Sequence, residues 1–125
     1  MEQEMQAYQI EYADFMKKYK KGVTSGEDVG ETISRLAQYF STKNISVGIK
    51  EIALGKKAAE IVNSFDDNSG KAISVAKADI VIKATPEAAA LIMEKAHLEN
   101  IEQFINALKY LQKSLLQEYS HLGGN

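Results

Sequence analysis

The chain has 125 residues, 45% of them hydrophobic, with a net charge of −2 and no cysteine. That length and hydrophobic content fit one domain with a modest core and exclude a disordered chain. The missing cysteines exclude a disulfide framework and cysteine-based zinc sites, and the slightly acidic balance gives no global attraction to nucleic acid or anionic membranes.

The N-terminal Met1-Glu2-Gln3-Glu4-Met5 lacks the apolar run of a signal peptide. No stretch approaches the ~20 apolar residues that cross a bilayer, so a cytoplasmic chain with no membrane partner is expected. Met1, Met5, Tyr8, Tyr12, Phe15 and Tyr19 follow a 4-3-4-3-4 spacing, which places all six on one stripe of a first helix over about 2–21. Lys20 and Lys21 suit its negative end and Gly22 suits a C′ position. Thr24 or Ser25 caps a second helix over about 25–40, with Glu27 or Asp28 completing a capping box. Val29, Ile33, Leu36 and Phe40 form its apolar face.

Ser41 or Thr42 offers a cap for a third helix, over about 43–65. Ile45, Ile52 and Ala59 repeat there every seventh residue, as do Gly48, Gly55 and Val62. Two glycines inside a helix cost ~1 kcal/mol each relative to alanine, which suggests close approach by another backbone; a tolerated kink is the alternative. Lys43, Lys50 and Lys57 repeat every seventh residue on a different face, with Lys56 beside them. Such a stripe suits phosphate contacts or an ordinary solvated face. Asp66-Asp67-Asn68-Ser69-Gly70 is a turn cluster, without the glutamate and twelve-residue frame of a calcium loop.

Residues 71–84 are ambiguous. Ile73, Val75, Ile80 and Ile82 alternate as in a strand, whereas Ala72, Ala76 and Ala78 with Lys77 and Asp79 read as helix. With no second strand pattern in the chain, helix is the preferred reading; pairing of two copies as strands is the alternative. Thr85-Pro86-Glu87 is a start signal, with a hydroxyl cap, the single proline at the first helical position and an acid at the positive end of the dipole. The helix it starts runs to about residue 120. Ile101, Leu108 and Leu115, with Phe104 and Leu111 between them, form a coiled-coil-like seam.

Some 35 residues of helix span roughly 50 Å, more than the ~35 Å diameter of a compact globule of this size. The predicted fold is therefore all-α, a single helical domain over 1–125. It is an elongated bundle with a long C-terminal amphipathic helix, completed by oligomerisation. No catalytic, metal or cofactor site is apparent. His97 lies three residues after Glu94, but one such pair holds too few ligands for a metal, and His121 falls in a tail read as frayed. The leading functional reading is a non-enzymatic, self-associating assembly or adaptor protein. Its interface would comprise Tyr8, Tyr12, Phe15 and Tyr19 with Ile101, Phe104, Leu108, Leu111 and Leu115. The alternatives are a single-stranded nucleic-acid-binding accessory protein using Lys43, Lys50, Lys56 and Lys57, and a structural component of a phage particle or secretion apparatus.

Between about Ile45 and Leu116 the order of features resembles the UvsY-type recombination mediators of tailed phages. The resemblance lies in the lysine-bearing stretch Lys50 to Lys57, the aromatic-then-glycine end Phe65 to Gly70, Asp79-Ile80-Val81-Ile82-Lys83 leading into a long terminal helix, and Ala107-Leu108-Lys109 within that helix. The chain departs from the family pattern in its acidic balance and in lacking an arginine after Lys109. The resemblance implies an all-helical oligomer that binds single-stranded DNA and helps load a recombinase, with Lys56 and Lys57 as DNA contacts.

Overall fold

A computed structural model describes residues 4–66 and 68–123, with side chains through residue 117. The described part is all-α: α1 (Ala7–Lys20), α2 (Gly26–Val62), α3 (Val75–Lys83) and α4 (Pro86–Gly123). Met1 and the side chain of His121, both singled out above, lie outside the described residues.

The helix ends follow local chemistry. α1 begins at Ala7, later than expected, where the Gln6 N–H donates to the Gln9 side chain at 2.7 Å. It closes as the sequence predicts. Gly22 takes φ +73°, its N–H donates to the Tyr19 carbonyl at 3.0 Å, and the Val23 N–H donates to the Lys18 carbonyl at 3.2 Å. This is a Schellman closure, which a residue with a Cβ adopts only with strain. Ser25 and Asp28 form the capping box of α2: the Asp28 N–H donates to Ser25 Oγ at 3.2 Å and the Ser25 N–H to Asp28 Oδ2 at 2.9 Å. The backbone bond from Ser25 holds the Asp28 carboxyl below its ordinary range.

One 37-residue helix replaces the two expected over 25–40 and 43–65. Neither Ser41 nor Thr42 starts a new one. Thr42 Oγ1 donates back to the Gln38 carbonyl at 3.1 Å, satisfying its hydroxyl within the helix, and no glycine or proline lies between Gly30 and Gly48.

The connector after α2 is organised by Asp66. Its Oδ1 accepts from the Asn68 N–H at 2.8 Å and from Lys77 Nζ at 2.9 Å, and its carbonyl accepts from the Gly70 N–H at 2.8 Å. The Lys77 bond, then the Asn68 bond, lowers the Asp66 carboxyl. Gly70 supplies the second positive φ, +69°, and an isolated antiparallel bridge joins Phe65 to Ala72. Residues 75–83 are helix, capped by Ser74 Oγ, which accepts from the Lys77 N–H at 3.2 Å. The Thr85-Pro86-Glu87 signal starts α4: the buried Thr85 Oγ1 accepts from the Ala88 N–H at 3.1 Å and donates to the Ile82 carbonyl at 2.7 Å.

The chain divides into two compact units, and α2 and α4 contribute to both. The first comprises Met1–Thr42 and Glu99–Asn125, the second Lys43–Leu98. In the first unit Tyr8, Phe15, Val29, Leu36, Ile101 and Leu108 are buried together. Tyr12 stacks on Phe104 with ring centroids 4.0 Å apart and planes 4° from parallel, adding to the burial of both rings. In the second unit the buried apolar residues are Val47, Ala78, Ala88 and Leu91, and two of these are alanine.

Candidate functional site

The second unit is organised around a carboxylate rather than an apolar cluster. Glu94 on α4 is only 8% exposed. Its Oε1 accepts from Lys43 Nζ at 2.7 Å, and its Oε2 accepts from Ser46 Oγ at 2.6 Å and lies 3.4 Å from Lys50 Nζ. The three partners sit at 43, 46 and 50 on α2, spacings of three and four that bring them onto one helix face. Burial pushes the Glu94 carboxyl up, but the hydrogen bonds from Lys43 and Ser46, the Lys43 charge and the Lys50 bond outweigh it and hold the group at about 2. A carboxyl that stays ionised at every pH above about 3 is poorly matched to acid–base catalysis near neutrality. Its work here is to hold two helices in register. One heptad earlier, Glu87 Oε2 is also buried, with no hydrogen-bond partner; its place in the first turn of α4 sets it against the positive end of the helix dipole.

This cluster determines where the lysine stripe stands. Lys43 and Lys50 are committed to Glu94, and Lys57 lies 3.5 Å from Glu60 one turn on. Lys56 is exposed and points away from this face. Lys77 and Lys83 pair with Asp66 and Asp79.

The aromatic stripe and the α4 seam belong to the first unit's own core. Tyr8, Phe15, Ile101 and Leu108 are buried there, and Tyr12, Phe104, Leu111 and Leu115 pack against them. Tyr19 alone of the nine is exposed, 37%, beside Phe15. An open cleft of about 460 Å³ in this unit is lined by Glu11, Asp14, Asp28, Glu31, Lys18 and Arg35, among others. Arg35 bridges Glu11 across it, which raises the guanidinium pKa further, and lies 4.0 Å from Glu31. Among the described residues no group of three or more histidine, aspartate or glutamate side chains is arranged to hold a metal.

The extent of the apolar surface of the second unit is what sequence reasoning missed, the repeats at Ile45, Ile52, Gly48 and Gly55 having pointed to only one strip of it. Ten large apolar side chains are exposed there against two buried, Val47 and Leu91, whereas the first unit has six of each among the described residues. Ile45, Ile49 and Ile52 on α2 are 66%, 62% and 62% exposed. Gly48 and Gly55 lie along the same face, and a Cβ at either would meet nothing within 4 Å. Each glycine still costs the helix ~1 kcal/mol relative to alanine, and nothing among the described residues uses the space it leaves. On α4, Ile92 is 66% exposed, and Lys95, one turn on, lies 3.8 Å from Glu51 of α2.

No helix among the described residues is long and apolar enough to cross a membrane. Comparison with protein families, with characterised proteins and with solved structures finds no match.

Proposed function

We propose that this chain is a non-enzymatic, self-associating helical subunit that serves as an assembly or adaptor protein. The inverted apolar distribution of the second unit carries the proposal. A three-helix segment with a core this small is marginal by itself, and so large an excess of exposed over buried apolar side chains is expected of a subunit that buries surface against a partner. The test is thermal unfolding over a hundredfold range of protein concentration. For a subunit stabilised by association, Tm rises by several degrees as concentration increases; a Tm independent of concentration contradicts the proposal.

A second reading, binding of single-stranded nucleic acid, rests on a different group from the one the sequence pointed to. Lys17, Lys18, Lys20 and Lys21 flank the exposed Tyr19 in sequence at the end of α1, all four lysines exposed. A run of exposed lysines beside an exposed aromatic side chain suits phosphate contacts with base stacking. On this reading a fluorescent oligonucleotide binds at low salt, is released as salt rises, and loses most of its affinity when these four lysines become alanine. Unchanged binding by that variant sinks it.

A further inference from the structure

We infer that the exposed face of α2 between Ile45 and Val62 pairs with the same face of a second copy of this chain, antiparallel and about a two-fold axis between Ala53 and Leu54. The inference rests on the self-association proposed above and assigns it a surface and a register.

The argument for a second copy is self-complementarity. An isologous interface requires one patch to fit itself when turned end for end. Ile45, Ile52 and Ala59 occupy one heptad position of the exposed face and Gly48, Gly55 and Val62 another. In an antiparallel pair these two positions meet in layers. Placing the axis between Ala53 and Leu54 sets Ile52 of each copy against Gly55 of the other, Gly48 against Ala59 and Ile45 against Val62. Large meets small where Ile52 packs on Gly55, and Gly55, where an added Cβ would meet nothing within 4 Å, becomes the hollow that receives isoleucine, while Gly48 against Ala59 lets the two backbones approach closely.

The flanking residues agree. In the same register Lys56 lies beside Ile49 of the other copy, where its aliphatic stem covers the isoleucine, and Glu51 lies beside Ala58, so no like charges face each other. A stable interface takes ~800 Å² per partner, more than five turns of one helix supply. The α4 edge that carries Ile92 borders this face through the Lys95–Glu51 contact and extends it.

The chain has no cysteine, so single-cysteine variants report on geometry directly. Gly48→Cys and Ala59→Cys chains, mixed and oxidised, form a cross-linked dimer, because close-packed helices bring the two positions within disulfide reach. Either variant alone gives little, its own two cysteines lying roughly 17 Å apart along the helices. Ile52→Asp, at a position exposed in the single chain, keeps its helical content and weakens association by about 100-fold or more. Cross-linking of either variant with itself, or an oligomer in which the mixture gives no cross-link and Ile52→Asp leaves the mass unchanged, overturns this inference and leaves self-association standing. A wild-type chain that is monomeric at every concentration overturns both.

Discussion

Leu108→Asp abolishes cooperative folding of the first unit, and the unit does not survive as a folded, dissociated species. Leu108 is 1% exposed and sits in one buried cluster with Tyr8, Val29, Leu36 and Ile101. The change removes about 2–3 kcal/mol of apolar burial. It also places an ionisable group in a buried, mainly apolar cluster, so the total exceeds roughly 4 kcal/mol. A domain of this size has only ~5–15 kcal/mol of stability in all. Urea unfolding followed by circular dichroism checks the result, with Tyr110→Asp as the control on the same helix, since Tyr110 is 75% exposed. A Leu108→Asp chain with a wild-type midpoint would show that the seam is not this chain's core.

Glu94→Ala has the second largest effect, and it acts by what it leaves behind. Lys43 and Lys50 would then face the interior of the second unit without a counter-charge, with side chains 21% and 36% exposed. Removing one member of a buried ion pair costs about 3–5 kcal/mol; partial exposure of Lys50 places the value near 3. The triple variant Lys43→Met, Lys50→Met, Glu94→Leu recovers most of the loss, because an apolar set of similar volume needs no desolvation. If Glu94→Ala alone kept the wild-type urea midpoint, the cluster would not organise this unit.

The same carboxyl fixes an acid dependence. Its pKa falls from an ordinary 4.5 to about 2 on folding. The stability it contributes, on the order of 3 kcal/mol, is complete above about pH 4.5 and is lost as pH falls toward 2. Glu94→Gln removes this component, so wild-type and variant midpoints converge across that window.

Features set by neighbouring residues were legible in the sequence. The Thr85-Pro86-Glu87 start, the Gly22 closure and the Ser25–Asp28 box each depend on contacts within a few positions, and each forms where the residues predict. The break at Ser41-Thr42 does not form, because a hydroxyl residue looks the same as a cap or as a mid-helix side chain bonded to its own i−4 carbonyl. Periodicity located the buried face of α4 but not what buries it: Ile101 and Leu108 pack on α1 and α2 of the same chain. Glu94 was weighed only beside His97, and its pairing with Lys43 and Ser46 was not foreseen because those partners lie 51 and 48 positions away. A signal was nevertheless present. The seven-residue repeat of Leu115, Leu108 and Ile101 continues through Glu94 to Glu87, and that of Val29 and Leu36 through Lys43, Lys50 and Lys57. The first unit buries the apolar part of these stripes, and the second pairs Glu94 with Lys43 and Lys50 from their charged part.

Sedimentation equilibrium of the wild-type chain across micromolar concentrations tests the central claim most directly. The account predicts a mass that is a multiple of the 13.8 kDa monomer, falling toward the monomer on dilution. A mass of one monomer at every concentration would contradict it and would leave the ten exposed apolar side chains of the second unit without a purpose in self-association.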